Sequence, residues 1–318
     1  KRSKINLDLM RQNTQRMGDK YKLNTYTFIN ETDFDFSKLS LGLSTTDDKD
    51  LSNVKNIKHT DYFTQWQGLV IDNEISLGAR VIDHDKFSSH TTYNLNWAKD
   101  LSANTRVNAS YGSATNLPSH FQEKKNLEHG QTSLKPERSK SIELGLKNDL
   151  DLVDIEFKVY KSKVVDSFDY HYLNYVNYDG YYFNNKTVDI TGAELSIKTE
   201  LLGWDLNTNL DFNRSIDRDT KKQRGRRPNR SISLNLLKSS GKWKRNINWS
   251  AKSSAWDGQS ETTKLGGYGL LNLSTSYNFT EDLSVYLNRN NALDKNYEMA
   301  KGYNTLGKTT TIGLTYNF

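Results

Sequence analysis

The ten carboxy-terminal residues, Thr309 to Phe318, alternate in polarity at every position. Thr310, Ile312, Leu314, Tyr316 and Phe318 share one side of an extended chain, and Thr309, Thr311, Gly313, Thr315 and Asn317 the other, because successive side chains of a strand point to opposite faces. A strand about ten residues long, apolar on one side and small and polar on the other, is the unit of a transmembrane β-barrel. A soluble sandwich contains such strands too, so recurrence has to carry the argument.

The pattern recurs along the chain. Leu271, Leu273, Tyr277 and Phe279 alternate with Asn272, Ser274, Ser276 and Asn278, and Trp243, Ile247 and Trp249 with Lys244, Asn246, Asn248 and Ser250. Trp204, Leu206, Leu210 and Phe212 oppose Asp205, Asn207, Asn209, Asp211 and Asn213. Val153, Ile155, Phe157 and Val159 oppose Asp154, Glu156, Lys158 and Tyr160; upstream, Ile75, Leu77, Ala79 and Val81 oppose Glu74, Ser76, Gly78 and Arg80. No stretch sustains a helical period, so an all-β chain is predicted.

Composition favours a barrel over one large soluble fold. Only 35% of 318 residues are hydrophobic, a poor core for that length but enough for an apolar coat one side chain thick. The 18 Tyr, 12 Phe and 6 Trp suit aromatic girdles at two membrane interfaces. Cys is absent, which excludes disulfides, and Pro numbers 3, which leaves strands uninterrupted. No apolar run reaches the roughly 18 residues of a membrane helix.

The connections alternate in length. Read backwards they run long from Asn290 to Lys308, short from Asn278 to Asp282, long from Ser253 to Gly267, short from Lys238 to Lys242 and long from Ile216 to Asn229. Glu200 to Gly203 is then short, Asp166 to Lys186 long, Lys147 to Asp151 short and Ala114 to Lys140 long. Outer-membrane barrels have short periplasmic turns and long extracellular loops, which assigns the carboxy-terminus to the periplasmic end. Continued to Lys4, the reading gives about sixteen antiparallel strands, an even number that places both termini on one side.

From Asn288 to Phe318 the chain reads NRNNALDKNYEMAKGYNTLGKTTTIGLTYNF, which resembles the closing hairpin of TonB-dependent outer-membrane receptors. Leu134-Lys135-Pro136-Glu137-Arg138-Ser139 with Ile142-Glu143-Leu144-Gly145-Leu146-Lys147, Thr191-Gly192-Ala193-Glu194-Leu195 and Arg226-Arg227-Pro228 resemble three further signatures of that family, in order. Gly302-Tyr303-Asn304-Thr305 leans toward its cobalamin-receptor branch. The resemblance implies a barrel of twenty-two strands preceded by a plug domain. Lys1 already begins a strand-like stretch, with Ile5, Leu7 and Leu9 alternating with Asn6, Asp8 and Met10. The expectation is therefore a single barrel domain over residues 1–318, with no plug and no signal peptide in the chain. It is either the carboxy-terminal part of a longer receptor or a reduced, plugless barrel.

Candidate chemistry is sparse. His84 between Asp83 and Asp85 reads as an exposed polar loop, with no nucleophile or second paired His to make a catalytic or metal site. His59, His90, His120, His129 and His171 are scattered over different loops. Asp47, Asp48 and Asp50 lack the Gly and bidentate Glu of a dedicated calcium loop. No catalytic residue, metal or cofactor is expected. The basic cluster Arg218, Lys221, Lys222, Arg224, Arg226, Arg227 and Arg230, which accounts for the net charge of +6, has no stacking aromatics within it and points away from nucleic acid and toward an extracellular loop that meets lipopolysaccharide phosphates or is simply solvated.

Aromatic residues on outward loops offer contact area at low entropic cost. Tyr170, Tyr175, Tyr178, Trp256, Tyr268 and Tyr303 are the expected ligand contacts. The resemblance implies a ligand-gated importer of a large, scarce nutrient, such as cobalamin or a siderophore, in the outer membrane of a Gram-negative bacterium. Its partners would be outer-membrane lipid and the TonB energy-coupling complex, reached through a plug. The alternatives are a passive porin-like channel and, more remotely, a barrel-type hydrolase or a soluble carbohydrate-binding β-protein.

Overall fold

The period-two alternation builds a single ladder. A computed structural model describes residues 2–16, 18–52, 55–174, 179–258 and 261–317. Its strands are β1 (Arg2–Arg16), β2 (Asp19–Asp33), β3 (Ser37–Asp50), β4 (Lys55–Val70), β5 (Asn73–His84), β6 (His90–Ser102), β7 (Thr105–Asn116), β8 (Glu137–Asp149) and β9 (Val153–Asn174). They continue as β10 (Asp179–Leu201), β11 (Trp204–Asp217), β12 (Arg230–Ser240), β13 (Trp243–Lys252), β14 (Ala255–Trp256), β15 (Lys264–Leu265), β16 (Tyr268–Asn278), β17 (Leu283–Asn290) and β18 (Thr309–Tyr316). Sixteen of them pair in sequence order, β1 through β13 and then β16, β17 and β18; β14 and β15 form a separate small hairpin. This is the all-β architecture and strand number that the sequence predicts.

Alternate connections segregate by length. Those at 34–36, 71–72, 103–104, 150–152, 202–203, 241–242 and 279–282 are two to four residues long, whereas 117–136, 218–229, 253–267 and 291–308 are far longer. At 71–72 and 202–203 both turn residues adopt left-handed backbone: Ile71 at φ 49° and Asp72 at 59°, Leu202 at 54° and Gly203 at 71°. That geometry matches the twist of the flanking strands and closes a two-residue hairpin. The connections after β1, β3 and β5 are short as well, so the length asymmetry is carried by the connections after β7, β11, β13 and β17.

The chain divides into two compact units. One comprises Lys1–Asp100, Asn108–Glu143 and Ser162–Val188, the other Leu101–Val107, Leu144–Lys161 and Asp189–Phe318. In the first unit Leu7, Phe28, Leu43, Tyr62 and Val81 stand in register across β1 to β5, and all are exposed. The neighbouring row on the opposite face reads Asp8, Thr27, Ser44, Asp61 and Ile82, and its Ser44, Asp61 and Ile82 are buried. In the second unit Leu206, Leu236, Ile247 and Leu273 form an apolar row backed by four asparagines, Asn207, Asn235, Asn248 and Asn272. Asn272 Nδ2 donates to Asn248 Oδ1 at 3.2 Å.

The polarity is inside out. Among the described residues six hydrophobic side chains are buried, against thirteen polar or charged ones. On β18, Ile312 is 73% exposed and Leu314 64%. Covering one large aliphatic or aromatic side chain is worth about 1.5–3 kcal/mol, so a row of five left in water forgoes roughly 10 kcal/mol. The apolar face is therefore built for hydrocarbon: this is a transmembrane antiparallel β-barrel wall. Among the described residues no helix is long and apolar enough to cross a membrane, which has no bearing on strands.

Three local expectations need correction. A helix, α1 (His120–Glu128), lies in the connection after β7 where no helical period is visible. The segment Asp166 to Lys186 is largely strand, because β9 and β10 run 22 and 23 residues where a crossing needs about 9–11; residues 175–178 lie outside those described. Asp47, Asp48 and Asp50 belong to β3, while His59, His84, His90 and His171 lie on strands and His120 on α1. Three arginines share the parity of the apolar face, Arg214 on β11, Arg245 on β13 and Arg289 on β17, and each sits toward a strand end.

Two glycines are dictated by facing aromatics. A Cβ on Gly313 would lie 2.2 Å from the ring of Tyr286, its register partner, and one on Gly192 2.3 Å from the ring of Tyr160. Asn213 Nδ2 donates to the Tyr160 hydroxyl at 2.7 Å, which holds that ring over the glycine. Gly313→Val should lower barrel stability by about 1–3 kcal/mol, the usual range for overpacking, read as the urea midpoint of refolding into vesicles. Adding Tyr286→Ala should recover most of the loss; an unchanged midpoint in the single variant would contradict this packing.

Candidate functional site

In the second unit, the connections 253–267 and 291–308 carry Trp256 and Tyr303, Tyr268 opens the strand after the first of them, and polar side chains hold these connections and 218–229. In the 291–308 connection, buried Asn291 donates from Nδ2 to Lys295 O at 2.9 Å and accepts from Lys295 N at 2.8 Å, while its own backbone N–H donates to Asn272 Oδ1 at 2.9 Å. Asp294 accepts from Lys308 N at 2.9 Å and meets Lys308 Nζ at 3.3 Å. These bonds hold the carboxylate below its ordinary pKa. Thr305 Oγ1 donates to Tyr297 O at 2.7 Å. The family-like Asn-Asn-x-x-Asp-Lys-x-Tyr segment is thus the frame of this loop.

Tyr268 is the first residue of β16, and its ring lies 4.3 Å from that of Tyr297. Beside it a cleft of about 500 Å³ is lined by Gly266, Gly267, Lys295, Glu298, Asn304 and Thr305 among others. Tyr303 is exposed. Trp256 sits on β14, with Lys264 Nζ 5.9 Å from its ring.

The basic connection 218–229 is anchored to that hairpin. Arg226 N donates to Trp256 O at 2.5 Å, Arg226 Nε to Asp257 Oδ1 at 2.8 Å, and Gln223 N to Glu261 Oε1 at 2.6 Å. Arg218 makes a bidentate pair with Asp189 at 2.7 and 2.6 Å. Arg218 and Arg226 are therefore committed to carboxylates.

In the first unit the aromatic residues of β9 and β10 pack with α1. Tyr170 lies 4.8 Å from both Tyr172 and Tyr182, edge to face, and Phe121 of α1 lies 6.4 Å from Tyr182. Burial, then the neighbouring Tyr182, raises the Tyr170 pKa. Helix α1 starts with a capping box in which Ser119 N donates to Gln122 Oε1 at 2.8 Å and Gln122 N to Ser119 Oγ at 3.3 Å. Its buried Glu123 accepts from Lys86 Nζ, Ser133 Oγ and Leu134 N. Asn126, also buried, donates to Thr132 O and accepts from Tyr182 N. The Ser119-x-x-Gln122 spacing was the available sequence signal for this helix.

His84 is buried at the end of β5 rather than exposed in a loop. Its Nδ1 accepts from the backbone of Lys86 at 3.0 Å and of Phe87 at 3.1 Å, and its ring stacks 5.8 Å from His59. Asp61 is paired with Arg80 and lies 3.8 Å from His59. Among the described residues no group of three or more His, Asp or Glu side chains is placed to hold a metal ion. Of the six predicted contacts, Trp256, Tyr268 and Tyr303 lie on the second unit's connections and β16, and Tyr170 lies in the first unit. Tyr175 and Tyr178 lie outside the described residues. Tyr297, Tyr172 and Tyr182 are aromatic partners beyond that set, lying in the same aromatic runs.

An antiparallel wall with an apolar outward face and several long connections that carry aromatic residues defines a transmembrane β-barrel architecture. Residues 3–292 match the model of the TonB dependent receptor-like β-barrel, and the chain belongs to that family. It is 26% identical over 253 residues to the vitamin B12 transporter BtuB of Photobacterium profundum, covering 78% of this chain and 41% of that protein. It is 26% identical over 280 residues to the BtuB of Vibrio cholerae, covering 86% and 44%. The chain thus spans less than half the length of these relatives. Among solved structures, the copper transporter OprC superposes with a TM-score of 0.78 at 14% identity, over 94% of this chain and 57% of that one. The siderophore receptor PirA of Acinetobacter baumannii gives 0.76 at 16%, over 96% and 56%. These relatives are transporters and receptors, not enzymes.

Burial depresses the His84 pKa below its ordinary 6.5, against the opposing pull of Asp85. A depressed pKa means that the neutral imidazole contributes stability above about pH 6.5, and that this contribution is lost as pH falls through the folded value. Hydrogen-exchange protection of the Lys86 and Phe87 amides should therefore fall on acidification from about pH 7 to about pH 5. Constant protection over that range would show that His84 does not govern this turn.

Proposed function

We propose that this chain is the barrel portion of a TonB-dependent importer in the outer membrane of a Gram-negative bacterium, carrying a scarce solute too large for passive diffusion. The observation that supports this most strongly is the segregation of connections: those at 34–36, 71–72, 103–104, 150–152, 202–203, 241–242 and 279–282 are two to four residues long, whereas the far longer ones, 117–136, 218–229, 253–267 and 291–308, all fall at the other ends of the strands. Short turns face the periplasm and long loops the exterior in barrels of this kind. The family match and the named relatives, vitamin B12 transporters and siderophore receptors, favour cobalamin or an iron siderophore as the cargo.

In this reading the long connections capture the ligand and the lumen passes it. Tyr268, packed on Tyr297, offers a fixed ring beside the 500 Å³ cleft, Trp256 offers a ring with a cation beside it, and Tyr303 is exposed. Tyr170, Tyr175 and Tyr178 complete the set from the other aromatic run. Gating and energy coupling belong to a plug, supplied by another part of the receptor and engaged by the TonB complex. Among the described residues β1 pairs with β2 and β18 with β17 along one edge each, and because an open edge in hydrocarbon costs several kcal/mol per unpaired group, this reading includes further strands that complete the wall. The basic connection meets lipopolysaccharide.

The test is ligand binding by the full-length receptor in cells. Replacing Trp256, Tyr268 and Tyr303 together with Ala should weaken cobalamin or ferric-siderophore binding at least tenfold, since a few aromatic anchors carry most of such an interface. Barrel assembly, read by heat-modifiable gel migration, should persist. Unchanged binding of both ligand classes would remove these residues from the site, and uptake independent of energy coupling would favour a passive channel.

A further inference from the structure

On the outward face of the second unit, near the short connections 241–242 and 279–282, an apolar groove of about 470 Å³ lies across β13, β16, β17 and β18. Register explains it. Trp243, Tyr277 and Val285 form one outward row, and Arg245, Thr275, Leu287 and Ile312 the next. Thr275 is the small member among large neighbours, so the surface is depressed over it. Trp243 and Tyr277 pack edge to face at 4.8 Å, as do Tyr277 and Phe279 at 4.9 Å, which fixes the wall of the groove.

Two cations are attached to residues that line it, and a third lies one strand away, on β12. The Arg245 guanidinium lies 5.4 Å from the Trp243 ring, folded toward the strand end. Lys242 Nζ donates to Phe279 O at 2.7 Å. Lys238 Nζ donates to Leu202 O at 3.2 Å and lies 5.6 Å from the Trp204 ring. Glu281 and Asp282 share the 279–282 connection, yet among the described residues none of these three cations forms a carboxylate ion pair. A guanidinium stacked on one lining residue, Trp243, and an ammonium bonded to the backbone of another, Phe279, match a molecule with a phosphate at one end and hydrocarbon at the other.

We propose that this groove binds one glycerophospholipid, with an acyl chain over Thr275 between Trp243 and Leu287 and the phosphate held by Arg245 and Lys242. The proposal rests on the membrane-spanning reading, in which the short connections face the periplasmic, phospholipid leaflet. It also gives a reason for Arg245, an outward charge that hydrocarbon alone would disfavour. Arg245 and Thr275 are cross-strand partners, so headgroup and chain are recognised by adjacent positions of one row.

The test is native mass spectrometry of the full-length receptor released from mild detergent in the presence of phosphatidylglycerol or, as the phosphate-free probe, dioleoylglycerol. The wild type should retain one phosphatidylglycerol and little dioleoylglycerol. Arg245→Gln should reduce that retention about fivefold and the Arg245→Gln, Lys242→Gln pair about twenty-five-fold, the factor expected for roughly 1 kcal/mol per cation near an anionic lipid. Thr275→Leu fills the groove without touching a charge and should reduce retention too, whereas Arg214→Gln, on another part of the outward face, should not. Assembly of each variant is read by heat-modifiable migration. Equal retention of both lipids by an inserted wild type, or full retention by the assembled double variant or by Thr275→Leu, would overturn the site. A receptor that never partitions into membranes would overturn the spanning reading and the site with it.

Discussion

Strand register is the constraint on which the rest depends. A one-residue slip would carry every side chain of a strand to the other face. Leu7, Phe28, Leu43, Tyr62 and Val81 would then turn inward and Thr27, Ser44 and Asp61 would meet lipid. The alternative register is so costly because the two faces differ so sharply: buried Asp61 holds an ion pair with Arg80 on one side, while exposed Tyr62 stands on the other. Close fits reinforce it. The Tyr286 ring occupies the space that a side chain at Gly313 would need, and the Tyr160 ring that at Gly192, so these pairs pin their strands along the length as well as face to face.

With the apolar surface committed to the outside, the long connections have little hydrophobic material for a core. They are framed by polar groups instead. Asn291 closes on Lys295, Asp294 reaches Lys308, Asp217 accepts from Asp219 N and Thr220 N, and Glu123 gathers Lys86, Ser133 and Leu134. Each of these carboxylates and amides fixes backbone that no sheet ladder supports. Several residues that make the sequence look like its family are therefore loop scaffolding, and the exposed or half-buried rings of Trp256, Tyr268 and Tyr303 are what that scaffolding presents.

Much of the wall was legible in the sequence, because a period of two survives wherever one face meets lipid and the other does not. The strands around Leu271, Trp243, Trp204 and Val153 follow directly from it. Helix α1 was not legible through periodicity: its buried residues are His120, Phe121, Glu123 and Asn126, three of them polar, so it carries no apolar stripe. Its stability comes from the cap at Ser119 and from ionic and amide contacts across the fold. The extensions of β9 and β10 were hidden for a related reason. Beyond the lipid zone both faces carry Tyr, His, Asp and Asn, and Asp166 at φ 56° interrupts the regular strand conformation, so alternation in polarity fades while hydrogen bonding continues. His84, flanked by two aspartates, looked solvated; only the turn after β5 shows that its ring nitrogen closes the backbone.

The central claim is that parity along each strand separates a lipid face from a luminal face, and these 318 residues hold no Cys of their own to compete with a placed label. Single cysteines placed at Leu206, Leu236, Ile247 and Leu273, and at their neighbours Asn207, Asn235, Asn248 and Asn272, can be spin-labelled in the full-length receptor in bilayers. The first four labels should be relaxed by a lipid-soluble quencher, and the asparagine-row labels should be shielded from it. Equal accessibility of the two rows to the lipid phase would contradict the account.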